Sequence, residues 1–462
     1  MAHYKTDDVF EATRPLYRIP LNDNIVLFSP KTFSVINANQ NIQYLLDTCS
    51  LPATFNQMMY LFNKLQPCRK EELSSILERL YNSGFIKLNG VHHPSALLKS
   101  ASPDSSTVTN APGSASVHLT DRCNLKCLYC YNEETRRKIR KELNQTEWDC
   151  ILQDLVSSGV KSITVTGGEP VLRKDLFPLF QKIRENGIVT GIITNGTLIS
   201  QDIAAIIADS FNSVTISLDS HIEKFNDANR GKGSYSRAMK AISILENEHI
   251  PYSINAVLTK YTISHFVEMR KFFRRYKYIK GGVTPILYES MGPNDTLVSS
   301  YSQIDRYYHL LYQDILHDDS LASVASNIKQ GLILLRNGCG TGRSECAIGP
   351  DGSLYPCRAL YYDKFNAGNL LDISFMELWR DSSVLKTVRH ADTNRKSICK
   401  DSECDLFHYC LGGCFGHTYA STGKLVPWAS SYDCYQIKQH TRQKLIASIL
   451  AAEKGESVLE KM

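Results

Sequence analysis

From residue 114 to about residue 286, short apolar runs alternate with amphipathic helical stretches, and this alternation constrains the fold more than any other feature. The strand-like runs are Ala115–Leu119, Ser162–Thr166, Val189–Thr194, Ser213–Leu218, Tyr252–Leu258 and Gly282–Ile286. Helical patterns lie between and after them, near Glu147–Ser158, Asp175–Asn186, Gln201–Asp209, Tyr235–Glu248 and Ile263–Tyr276. Neighbouring parallel strands need a long crossover, usually a helix. Six such repeats therefore predict an α/β chain with a parallel sheet, curved or barrel-like. In sheets of this kind the chemistry gathers at the C-terminal ends of the strands.

Directly after the first strand comes Cys123-Asn124-Leu125-Lys126-Cys127-Leu128-Tyr129-Cys130, a CxxxCxxC loop. Three thiolates can hold three corners of a four-iron cluster and leave the fourth iron without a protein ligand. An iron left open in this way can bind and reduce a small molecule. Zinc is the alternative occupant, because CxxC-like pairs also bind it. The chain has 14 cysteines. Residues Met1 to Glu11 show no secretory signal, so metal ligation is preferred over a disulfide framework. Cys49, Cys68 and Cys150 fit no spacing and are expected to be buried structural thiols.

A length of 462 residues suggests about three domains, and a net charge of +5 gives no argument for nucleic acid or an anionic membrane. Apolar runs such as Leu332 to Leu335 are too short to cross a bilayer, and a cytoplasmic location is expected. Residues 92–113 are rich in small polar residues and read as a linker. Before it, strand-like segments at Arg14–Pro20, Asn24–Ser29 and Thr32–Asn37 precede helical patterns at Asn41–Cys49, Phe55–Leu65 and Arg69–Asn82, and a short strand closes at Phe85–Leu88. The order describes a winged-helix-like domain. Residues 1–100 carry 10 Lys/Arg against 8 Asp/Glu, and the third helix mixes both signs. A DNA-recognition helix concentrates positive charge, so a protein or peptide partner fits better.

The alternation is expected to stop near residue 325, where Cys339, Cys346, Cys357, Cys399, Cys404, Cys410, Cys414 and Cys434 begin. Eight thiolates in a loop-rich region could serve two zinc sites or two four-iron clusters. Metal rather than a large core is expected to organise this part.

Taken with the segments that follow it, the cysteine loop resembles the radical S-adenosylmethionine superfamily. Tyr129 precedes the last cysteine, and the second strand ends in Gly167-Gly168-Glu169-Pro170, similar to the GGEP segment of that family. The third strand ends in Thr194-Asn195-Gly196 and the fourth in Ser217-Leu218-Asp219, similar to segments that line the cofactor. Arg230 sits where relatives set an arginine against the methionine carboxylate, a contact suited to a guanidinium. The resemblance implies S-adenosylmethionine bound at the open iron and its cleavage to a 5′-deoxyadenosyl radical. Tyr129, Gly167, Gly168, Glu169, Pro170, Thr194, Asn195, Ser217 and Arg230 are the cofactor-binding residues it implies.

Cys404-x5-Cys410-x3-Cys414 with Cys434 downstream, and Gly352-Ser353-Leu354-Tyr355-Pro356-Cys357, resemble the SPASM extension of radical enzymes. Carried over, that arrangement implies one auxiliary [4Fe-4S] cluster on Cys339, Cys346, Cys357 and Cys414. A second would use Cys399, Cys404, Cys410 and Cys434. One departure is visible: Cys399 and Cys404 have four residues between them where the family has two. The N-terminal order of elements resembles the peptide-recognition domain of enzymes that modify ribosomally made peptides, with a leader peptide added as a strand against Thr32–Asn37 and Glu71–Tyr81 as groove wall.

The expectation is a partial (β/α)6 TIM barrel over residues 114–324, a winged-helix-like recognition domain over 1–91 and a SPASM domain over 325–462. The implied activity is a thioether or carbon–carbon crosslink installed in a precursor peptide, with a flavodoxin- or ferredoxin-type electron donor. The alternatives are a side-chain oxidase of the sulfatase-maturase type and an iron–sulfur winged-helix regulator.

Overall fold

A computed structural model of the chain describes residues 4–13, 17–21, 24–29, 34–65, 69–91, 110–132, 141–288, 296–316, 340–391, 414–425, 434–436 and 439. In the N-terminal part, strands β1 (Val9–Ala12), β2 (Tyr17–Leu21), β3 (Asn24–Ser29) and β4 (Ser34–Ala38) precede helix α1 (Gln40–Thr48). Strand β5 (Ala53–Thr54), helices α2 (Phe55–Leu65) and α3 (Lys70–Asn82) and strand β6 (Ile86–Leu88) complete it. The three helices fall where their apolar spacing places them. The strands form two sheets rather than one: β2-β3-β4, and β5-β1-β6. Phe10, Leu45, Phe55, Met58, Leu73, Leu77, Phe85 and Ile86 form a core of their own, separate from that of the barrel. Cys49 belongs to it as expected, with its thiol 3.6 Å from the Met58 sulfur and burial pushing its pKa up to about 12.

Strands β7 (Ser114–His118), β8 (Ser162–Thr166), β9 (Val189–Thr194), β10 (Ser213–Ser217), β11 (Tyr252–Leu258) and β12 (Ile279–Leu287) lie side by side in chain order, all parallel. Helices α4 (Gln145–Ser157), α5 (Phe177–Glu185), α6 (Gln201–Ser210), α7 (Glu223–Arg230), α8 (Ser234–Asn247), α9 (Phe266–Phe273) and α10 (Tyr301–Leu316) connect or follow them. This is the partial barrel expected from the alternation. Helix α4 starts at a capping box, with Asn144 accepting from the Glu147 N–H and Glu147 accepting in return. Such a cap is worth about 1 kcal/mol. The α4 residues Trp148, Ile151, Leu152 and Leu155 then pack on Val117, Ile163 and Val165 of the sheet. Cys150 stands on the other face of α4 and is exposed, so its expected burial is corrected. The α4 stripe turns it away from the sheet. Cys68 lies outside the described residues.

The C-terminal region departs from its expectation in one respect. Strand β13 (Glu345–Ile348) pairs in parallel with β7, and β14 (Leu354–Tyr355) returns antiparallel to it, so the sheet continues across the expected boundary to eight strands. Ile348, Leu354, Phe375, Trp379 and Leu385 join the barrel core, and Tyr355, Leu360, Phe365 and Phe415 build a smaller one beside it. The Trp379 indole N–H donates to the Asn110 carbonyl at 2.9 Å. Apolar packing therefore holds this region as well as any metal.

Candidate active site

The cysteine loop follows β7 and lies across the C-terminal end of β8. Two backbone bonds fasten it there: Gly168 N–H to the Thr120 carbonyl and Glu169 N–H to the Arg122 carbonyl, both at 2.8 Å. A Cβ on Gly167 would lie 2.6 Å from the Thr120 oxygen, and one on Gly168 would collide with the Arg122 carbonyl. Gly167 also has φ of +115°, a backbone that side chains resist. The glycines of the GGEP segment are thus required for the loop to seat. Thr120 and Arg122 bond Glu142, with Arg122 Nη2 at 2.9 Å, and Arg173 reaches the same carboxylate at 3.4 Å.

Glu169 is fully buried and ties the ends of two strands together. Its carboxylate accepts from Thr194 Oγ1 at 2.6 Å, Asn195 N–H at 2.8 Å and Val171 N–H at 3.1 Å. Burial raises its pKa, and the three donors oppose that shift. Pro170 is buried at the start of the following turn. Asn195 donates to Asn124 Oδ1 at 2.9 Å and lies 3.9 Å from the Cys123 sulfur, which brings the third strand end to the cysteines. Ser217 stands half-buried at the end of β10.

Asp219, two residues past β10, gathers the other side of the site. Its side chain is fully buried and accepts from Arg230 Nη2 at 2.7 Å, Val257 N–H at 3.0 Å, Asn229 Nδ2 at 3.3 Å and the Tyr129 hydroxyl. Arg230 lies 5.6 Å from the centre of the Tyr129 ring, and the Leu128 N–H bonds the Asn229 carbonyl at 2.9 Å. Burial opposes the Arg230 charge, but Asp219 and its neighbours more than offset this and raise its pKa. Burial pushes the Cys127 thiol up to about 11, with Arg230 pulling the other way. Binding iron there must therefore release a proton.

Cys123, Cys127 and Cys130 stand half-buried on this loop. The donor set suits an iron–sulfur cluster, and Arg230 Nε is buried with no hydrogen-bond partner, a charged donor available to an anionic ligand. The residues fit the cluster and the amino-acid end of S-adenosylmethionine.

Of the eight C-terminal cysteines, Cys346, Cys357, Cys414 and Cys434 are described, while Cys339, Cys399, Cys404 and Cys410 lie outside the described residues. Cys346 sits on β13 opposite Ala115 of β7, and Cys357 follows β14. Cys414 caps the helix Phe415–Thr422, which packs its Gly416 against Ala359, two residues from Cys357. Among the described residues, no three His, Cys, Asp or Glu side chains converge closely enough to hold one metal ion. Nor is any helix among them long and apolar enough to cross a membrane.

In the sequence Asp219 stands out only as the end of the Ser217-Leu218-Asp219 segment, and Glu142 does not stand out at all. Neither carries a spacing signal, because their partners are distant in the chain.

Residues 117–273 match the radical SAM superfamily, and residues 339–405 match the iron–sulfur cluster-binding domain SPASM. The mycofactocin maturase MftC of Mycolicibacterium smegmatis is 30% identical over 313 residues, covering 66% of this chain and 78% of that protein. The solved structure of native anSMEcpe with bound AdoMet has a TM-score of 0.62 at 20% identity, over 74% of this chain and 99% of its own. Streptococcus suis SuiB bound to precursor peptide SuiA has a TM-score of 0.55 at 19% identity, over 91% of this chain and 99% of its own. With the cysteine loop, the GGEP contacts and the C-terminal cysteine hairpin in place, the chain belongs to the radical SAM/SPASM family of enzymes.

Proposed function

We propose that the chain is a peptide maturase that installs a thioether or carbon–carbon crosslink in a ribosomally made precursor peptide. The observation that carries this reading is the N-terminal unit: among the described strands, β4 pairs only with β3, which leaves an edge for an added peptide strand. That unit has its own core and can present a leader peptide independently of the barrel. The likeness to SuiB bound to its precursor peptide, over most of this chain, supports the same reading.

Cys123, Cys127 and Cys130 would hold the S-adenosylmethionine-binding cluster, and Arg230 would take the methionine carboxylate. Cofactor and cluster together supply a hydrogen-abstracting radical when bound. The chain's own part is to seat the loop through Gly167 and Gly168, fix Arg230 through Asp219 and keep Tyr129 against both. Cys339, Cys346, Cys357 and Cys414 would hold one auxiliary cluster, and Cys399, Cys404, Cys410 and Cys434 another. A flavodoxin- or ferredoxin-type protein would supply electrons.

The test is anaerobic incubation of the reconstituted protein with the product of any short open reading frame found beside its gene, followed by mass spectrometry. Loss of two hydrogens per crosslink, with fragmentation placing the new bond, is the expected result. Removing residues 1–95 should leave cofactor cleavage but end peptide modification. The 28% identity over 326 residues with the cysteine-type anaerobic sulfatase-maturating enzyme of Clostridium novyi supports a second reading, side-chain oxidation without a crosslink. An aldehyde that reacts with a hydrazide, in a peptide with no new bond, would establish that instead.

A further inference from the structure

We propose that Asp219 is a positioning residue that holds Arg230 and Tyr129 as one unit, so that seating of the cysteine loop and capture of a carboxylate ligand at Arg230 are coupled. The inference rests on the family reading of the site and goes beyond it by making Asp219 the link between the cysteine loop and ligand affinity at Arg230. Asp219 is reached by four donors from three segments: Tyr129 in the cysteine loop, Asn229 and Arg230 on α7, and Val257 on β11. Its own N–H is fixed by the Asn226 side chain at 3.0 Å. The carboxylate therefore cannot turn without moving the loop, the helix or the strand.

Asp219 accepts from Nη2 of Arg230, while Nε remains buried without a partner. A guanidinium anchored through one nitrogen keeps the remaining N–H groups in a fixed plane, ready for a second carboxylate. Tyr129 packs beside that plane and shares the same carboxylate. Displacing the loop would thus release one of the Asp219 contacts and loosen the arginine. A purely structural aspartate would hold the fold without affecting ligand affinity through Arg230.

The experiment compares reconstituted wild-type protein with Asp219→Asn, Arg230→Ala and the double variant, after iron content has been measured. Asp219→Asn keeps the side-chain shape and should keep the iron of the cysteine-loop cluster. Its dissociation constant for S-adenosylmethionine should rise at least about tenfold, read from the change the ligand makes in the electron paramagnetic resonance spectrum of the reduced cluster. In the Arg230→Ala background, Asp219→Asn should weaken binding no further. Wild-type affinity in Asp219→Asn, or equal and additive losses in the double variant, would overturn the proposal. Should Asp219→Asn melt well below wild type, Tyr129→Phe decides: it spares the ion pair and should weaken binding about threefold through the loop, and unchanged affinity overturns the coupling. Absence of any spectral response in the wild-type protein would instead count against the family reading of the site.

Discussion

The cysteine loop after β7 and the cysteine hairpin of β13 and β14 flank the same strand but are held by different forces. The loop is polar and half-exposed, and it is fixed by backbone bonds to the GGEP segment, by Glu142 and by the Asp219 carboxylate. The hairpin lies in apolar packing, with Cys346 and Cys357 buried among the residues of two cores. Burial raises the Cys346 thiol above its ordinary range, with Glu345 and Cys357 adding to it. A site that must admit a ligand is built from groups that tolerate water. A sheltered one can be built from the core itself. The proposed function would use this contrast, with an open-iron cluster in the loop and a fully ligated one at the hairpin.

The largest expected effect tests the loop. Replacing Cys123, Cys127 and Cys130 together by Ala should reduce cofactor cleavage to background while the melting temperature of metal-free protein changes little, because none of the three belongs to an apolar core among the described residues. A large drop in melting temperature would place them with the hairpin instead. Next is Gly168→Ala, whose Cβ would meet the Arg122 carbonyl. It should cost about 1–3 kcal/mol and lower the iron content of the loop, measured by denaturation and iron analysis.

Cys346→Ser and Cys123→Ser sharpen the comparison on metal-free protein. The hydroxyl enters an apolar core at residue 346 and should cost about 2 kcal/mol, whereas at half-exposed residue 123 it should cost well under half of that. Equal losses would erase the distinction between the two regions.

The smallest effect concerns Asp227 on α7, which accepts from Tyr235 N–H at 2.8 Å and Ser234 Oγ at 2.9 Å at the start of α8. Although burial acts against it, these bonds lower its pKa below the ordinary 3.8. Its stabilisation is therefore present above that value and is lost as pH falls through the lowered one. Asp227→Asn should destabilise by about 1 kcal/mol at neutral pH, and the gap should close in acid. A gap independent of pH would mean that charge has no part in holding this polar side of the site.

The barrel was legible because its strands are long enough to show a pattern: Ser162–Thr166, Val189–Thr194 and Tyr252–Leu258 fall as expected. Helix α7 was not, since its buried face is Asn226, Asn229 and Arg230 and gives no apolar periodicity. Strands β1, β5 and β13, of two to four residues, are too short to show a period of two. Metal spacing revealed the cysteines, but nothing in the chain order revealed that β13 would extend the barrel sheet. The linker reading also shortens, because the Gly113 carbonyl already accepts from Lys161 and Ser162 at 3.1 Å.

The central claim is that the loop after β7 generates a radical from S-adenosylmethionine. Its most direct test is 5′-deoxyadenosine formation by the anaerobically reconstituted, reduced chain, beside the triple Cys123, Cys127 and Cys130 to Ala variant. The account predicts 5′-deoxyadenosine from the intact protein and none above background from the variant. An intact protein carrying a full complement of iron and cleaving no S-adenosylmethionine would contradict it.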